Sequence, residues 1–205
     1  MKIYRLHYPH DQQELNLEPS AVAVGFFDGL HRGHEDVIGR MEDIAEAEGL
    51  KKAVMTFDPH PSVVLSPKKQ RTTYLTPLDI KLEMLEEKGI DYCFVINFSS
   101  ALAGLEPDFF VDQYIVRMNV REVVAGFDFT YGRYGRGTID TLKAHDEFNT
   151  TGVEKITEGG EKISTTRIRE ALAKNELEHA NLILGRPYEG KEVVVQGGKS
   201  GRTIG

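Results

Sequence analysis

Apolar, β-rich runs alternate with amphipathic stretches along most of this chain, and that alternation restricts its fold more than any other feature. The runs are AVAVGFF (21–27), KAVMTF (52–57), YCFVINF (92–98) and REVVAGFDF (121–129). After the first, GHEDVIGRMEDIAEAEG (33–49) sets Val37, Ile38, Met41, Ile44 and Ala45 at helical spacing, with Gly49 as a stop. LDIKLEMLEEKG (78–89) and EPDFFVDQYIVRM (106–118) read as helices, and STTRIREALAKNE (164–176) as a helix opened by hydroxyl residues. A β-α-β-α order predicts a parallel sheet with helices on both faces. Its ligand crevice belongs at the carboxyl ends of the strands. Two stretches, 59–77 and 129–138, read as long irregular loops; both follow strands and so fall on the crevice side. Beyond NLILGRP (181–187), residues 189–205 hold one short strand and a glycine-rich end with no helix to cover it.

Composition narrows the function. The 205 residues fit one α/β domain, or one domain plus a fragment, and 40% hydrophobic with 28% charged residues suits a chain that buries a core and stays in solution. A net charge of −7 argues against a nucleic-acid backbone as partner, but not against a nucleotide held by a few cations and helix N-termini. The one cysteine, Cys93, makes no internal disulfide and reads as a small core residue, which suits a reducing cytoplasm. No apolar run is long enough for a bilayer, and the N-terminus lacks a signal-peptide core, so no membrane association is expected. Nothing in the sequence sets an oligomeric state.

The segment GFFDGLHRGH lies where the first of these strands gives way to a helix. A helix start presents unpaired N–H groups and partial positive charge. Gly33 permits close approach, and His31 and His34 add imidazoles that donate hydrogen bonds and carry charge near neutral pH. Asp28 and Gly29 shape the loop before them. The competing view is a plain turn with two surface histidines. A metal site is weaker, since no third histidine or cysteine lies nearby. In EKISTTRIREAL (161–172), Ser164, Thr165 and Thr166 start a second helix, with Arg167 and Arg169 in its first turns. Alone, this is an N-cap with surface arginines. Two such helix starts in one α/β domain suit a nucleotide triphosphate gripped from two sides, and no GxxxxGK[ST] loop is present.

HRGH fits the HxGH motif of the nucleotidyltransferase superfamily, and ISTTRIR its ISSTxxR-type motif. With FDPHP (57–61) and VVAGFDFTYG (123–132), these strings resemble the adenylyltransferase module of bacterial bifunctional riboflavin kinase/FAD synthetases, from the start of the chain to about residue 186. The tail GRPYEGKEVVVQGGKSGRTIG resembles the opening of the kinase barrel of the same proteins. The resemblance implies a Rossmann-like α/β domain over 1–186, with 187–205 as the beginning of a kinase-like barrel whose active part is absent, so no riboflavin phosphorylation is expected. It implies the reaction FMN + ATP → FAD + pyrophosphate with Mg²⁺ bridging phosphate oxygens, FMN and FAD being substrate and product. His31 and His34 would steady the phosphates, with Asp128 and Arg169 in the catalytic group. Ser164, Thr165 and Arg169 would hold the β- and γ-phosphates. Main chain at Gly25 and Phe26, with Asp28, Gly29 and Gly33, would complete the ATP site. Phe57, Pro59, His60, Pro61, Asp128 and Tyr131 would face the flavin. Competing readings are a nucleotidyltransferase acting on a phosphopantetheine or polyol phosphate, and a non-catalytic flavin or nucleotide binding module. Tyr131, Arg133, Tyr134 and Arg136 interleave aromatic and basic residues, but the run is short and the protein acidic, so single-stranded nucleic acid is not expected there.

Overall fold

The computed structural model describes residues 1–9, 15–65 and 74–189. Its centre is a six-stranded parallel sheet in the order β1-β4-β3-β2-β5-β6. The strands are β1 (Lys2–Leu6), β2 (Ser20–Val24), β3 (Lys51–Asp58), β4 (Tyr92–Asn97), β5 (Val120–Gly126) and β6 (Asn149–Val153). Strand β2 is buried along its whole length, as a central parallel strand covered on both faces must be. Its side chains alternate: Val22 and Val24 enter the core on one face, Ala21 and Ala23 the core on the other.

Helix α1 (Arg32–Glu48) lays Val37, Ile38, Met41 and Ala45 on the second face, beside Leu82 and Leu85 of α3 (Leu78–Glu87). The first face is covered by Phe110 and Val111 of α5 (Pro107–Val111) and by Tyr114 and Ile115. Short helices α2 (Pro61–Leu65), α4 (Ser100–Ala103) and α6 (Ile139–Lys143) lie in the connections. A hairpin of β7 (Thr157–Glu158) and β8 (Glu161–Lys162) leads into α7 (Thr165–Ala173), which packs with α8 (Leu177–Leu184) around a third cluster that includes Ile168 and Ile183.

Several expectations need correction. The helix read over 106–118 is α-helical only to Val111; Asp112–Val116 is a π-turn, where Arg117 N–H reaches back five residues to the Asp112 carbonyl. The first strand ends at Val24 rather than 27, because Phe27 takes a left-handed φ of 56° that no strand tolerates. The stretch 59–77 is not all irregular: α2 occupies its start, while 66–73 lie outside the described residues. The stretch 129–138 is tied down by paired backbone bonds between Tyr131 and Gly137 and by Arg133 and Arg136 on Glu106. The strand read at the tail, and most of the barrel-like segment 187–205, lie outside the described residues. Cys93 is fully buried in β4, and burial pushes its thiol up to about 12.

Candidate active site

After β4 the chain crosses to β5 on the far side of β2, so the direction of strand addition reverses beside β2. An open α/β sheet has its crevice at such a reversal, outside the carboxyl ends of the strands. A cavity of about 530 Å³ occupies this position. Gly25, Phe26, His31, Gly33 and His34 form its wall after β2; Phe127, Asp128 and Phe129 form the wall after β5; Ser164, Thr165 and Thr166 close it from α7.

His31 is the N-cap of α1. Its Nδ1 accepts the His34 backbone N–H at 3.3 Å, and its ring stacks on that of His34 with centroids 3.6 Å apart. A neutral ring that accepts at Nδ1 carries its proton on Nε2, so His31 offers an N–H donor. A Cβ at Gly33 would stand 3.3 Å from the His31 Cε1; glycine leaves the imidazole its place. Both rings are neutral at pH 7, which corrects the expectation of charge near neutrality. Burial is the main cause, holding His31 down at about 4; the His34 pKa is lowered by burial and then by the neighbouring His31 and Lys81. His34 Nδ1 is buried without a hydrogen-bond partner among the described residues, while the Phe27 ring meets its edge at 5.4 Å.

The second helix start is tied to the first. Ser164 caps α7 by accepting the Arg167 N–H at 3.3 Å, which leaves its hydroxyl proton free to donate into the cavity. The Thr165 hydroxyl donates to the Asp28 carbonyl at 3.0 Å. That proton is spent within the protein, so Thr165 offers an incoming anion its backbone N–H.

Asp28, Gly29 and Arg169 do not line the cavity. The buried Asp28 carboxylate accepts from the Leu75 and Thr76 N–H groups at 2.8 and 3.1 Å, and from Arg169 Nη2 at 3.0 Å. Asp28 and Arg169 brace the loop from behind. Arg167 holds the β7–β8 hairpin through the carbonyls of Glu158, Glu161 and Lys162.

On the flavin side, His60 and Asp128 line the cavity, and His60 meets the Phe26 ring at 4.3 Å. Phe57 and Tyr131 instead point into the core on the first face, and Pro59 and Pro61 are not in the wall. The aromatic surface comes from Phe127 and Phe129, flanking Asp128. The run GFDFTY contained this: with Asp128 facing the cavity, the flanking aromatics close around it, whereas Tyr131 lies past the turn and stacks behind Phe129. Two lysines were also missed. Lys162 pairs with Asp128 across the cleft and lies 4.7 Å from the Phe127 ring centre. Lys81 occupies the buried stripe of α3 with Leu82 and Leu85, and a charged residue at a position of that spacing was the legible sign.

The family profile described as FAD synthetase matches residues 13–167, which takes in both helix starts and the whole of the cavity wall between them. The chain belongs to the FAD synthetase family. Relatives described as bifunctional riboflavin kinase/FMN adenylyltransferase are 45% identical in Bacillus subtilis (strain 168) and 46% identical in Listeria monocytogenes, each match covering 100% of this chain and 66% of the relative. The Escherichia coli K12 relative of the same description is 34% identical over 96% of this chain and 64% of its own length. The chain therefore spans just under two thirds of the length of the relatives it matches. A crystal structure described as a macrolide-efflux protein from Streptococcus pneumoniae superposes with a TM-score of 0.85 at 30% identity, over 98% of this chain and 66% of that one. Among the described residues no helix is long and apolar enough to cross a membrane.

Proposed function

We propose that residues 1–186 form an FMN adenylyltransferase, which transfers AMP from ATP to FMN and releases pyrophosphate. The observation that carries this reading is the joining of two helix N-termini at one cavity: the stacked His31–His34 pair on α1 and the Ser164–Thr166 turn on α7, held together by Thr165 and Asp28. Such an arrangement suits a polyphosphate. The aromatic residues Phe26, Phe127 and Phe129 suit a planar ring system beside it.

The FMN phosphate oxygen attacks the α-phosphorus in line, and pyrophosphate leaves. His31 Nε2–H donates to the oxygens where charge develops; a neutral donor in a buried setting does this without reorganisation. Ser164 and the first N–H groups of α7 hold the distal phosphates. Positioning and charge stabilisation carry the rate. Among the described residues no group of three or more His, Cys, Asp or Glu could cage a metal. The donor set therefore fits Mg²⁺ brought on the phosphates, with Asp128 as the nearby carboxylate; when bound it neutralises phosphate charge. We assign riboflavin phosphorylation to no part of residues 1–186, and read 187–205 as kinase-like sequence.

The test is to supply FMN, ATP and Mg²⁺ and follow FAD and pyrophosphate together, with riboflavin plus ATP in parallel. FAD with matching pyrophosphate supports the assignment. Tight binding of both substrates without product would reduce the protein to a binding module.

A further inference from the structure

The ammonium of Lys81 is buried at the floor of the turn that follows β2. Nζ donates to the Phe26 carbonyl at 2.6 Å and to Thr56 Oγ1 at 3.2 Å, and it lies 4.3 Å from the Phe26 ring centre. The Thr56 hydroxyl also donates to the Phe26 carbonyl, at 2.9 Å. Lys81 is 2% exposed, and burial is the largest cause lowering its pKa, to about 8. A cation so placed is unfavourable by desolvation, and an apolar side chain of its length would fill the same space at less cost.

Its contacts explain what the charge secures. The next residue, Phe27, has φ 56°, a conformation disfavoured for a phenylalanine, and its ring lies edge-on to His34. In a trans peptide the Phe26 carbonyl and the Phe27 N–H point in opposite directions. Pinning that carbonyl against Lys81 and Thr56 fixes the peptide plane, keeps a partial negative charge out of the phosphate cavity and sets the Phe27 ring under His34. A Cβ at Gly25 would stand 2.9 Å from the Phe27 ring, so any side chain there would displace that ring.

We propose that Lys81 is a positioning residue, which holds the Gly25–Phe27 turn in its left-handed form and through it orients the imidazole of His34 toward the nucleotide. This deepens the adenylyltransferase reading and rests on it for the choice of ligand.

The experiment compares Lys81→Met, Lys81→Gln and Thr56→Val with the unsubstituted chain. Its readouts are the His34 imidazole resonances, ATP affinity by calorimetry, kcat and KM for FAD formation, and melting temperature. Lys81→Met is expected to fold, because Thr56 still satisfies the Phe26 carbonyl. It is expected to shift the His34 resonances and weaken ATP binding by roughly tenfold, within the range by which one site biases the affinity of another. Lys81→Gln, which keeps a donor, falls between. If Lys81→Met does not fold, Thr56→Val removes the second tether and is read the same way. Unmoved His34 resonances with unchanged ATP affinity would overturn the proposal. An unsubstituted chain that binds ATP but makes no FAD would instead overturn the adenylyl-transfer reading, and the affinity and resonance comparison would still judge Lys81.

Discussion

His31 combines three roles in one ring: it caps α1, stacks on His34 and presents Nε2–H to the cavity. Replacing it with alanine removes the donor and is expected to lower turnover by roughly a hundredfold or more, with the far-ultraviolet spectrum unchanged. Gly33→Ala is a finer probe. Alanine favours the helix by up to about 1 kcal/mol, yet its Cβ crowds the imidazole, so the expected result is reduced turnover with an equal or higher melting temperature. The same ring makes stability depend on pH. Its folded-state pKa is depressed from 6.5 to about 4, so the unfolded chain binds the proton more readily between those values. Stability is therefore complete above about pH 6.5 and falls as pH drops toward 4, by on the order of 3 kcal/mol from this group. Melting curves across that window, with His31→Ala showing a shallower acid slope than the unsubstituted chain, check the sign.

Among the elements, those that carry chemistry were the most legible. β2, β3 and β4 lie inside a doubly covered sheet, and residues buried on both faces make continuous apolar runs. HRGH and ISTTRIR stood out because helix starts that offer donors have a recognisable composition. The edge strands β1 (KIYRL) and β6 (NTTGV) were missed: each is half exposed, so its sequence is mixed and carries no apolar run. Direction was the other gap. Which of Phe57, Phe127, Phe129 and Tyr131 meets the cavity depends on where each strand ends, and a motif string does not state that. Asp28 shows the same limit: its place beside HRGH suggested a ligand role, while its carboxylate joins α7 to the segment before α3. Asp28→Ala removes the buried carboxylate that accepts from Arg169 and from two amides, and is expected to destabilise the fold by about 3 kcal/mol, read from the urea midpoint. Arg169→Met is expected to weaken ATP binding without abolishing it, because its guanidinium acts from behind the wall.

Across the whole molecule, stability is graded outward from β2. Amide exchange is expected to be slowest in β2 and its neighbours β3 and β5, and fastest among the sheet strands in β6 and β1, whose outer sides have no strand partner among the described residues. ATP, by binding only the folded form, is expected to raise the melting temperature and to slow exchange at the starts of α1 and α7 together. The strand order also bears on how the protein is made. Val22 pairs with Val123, so one flank of the central strand has to wait about a hundred residues for its neighbour. At ribosomal speeds that wait is roughly 5–20 s, during which β2 holds an open edge. The N-terminal half, histidines included, leaves the ribosome well before the α7 turn that completes the grip on phosphate, so a nascent chain acquires its nucleotide affinity only once that turn has emerged.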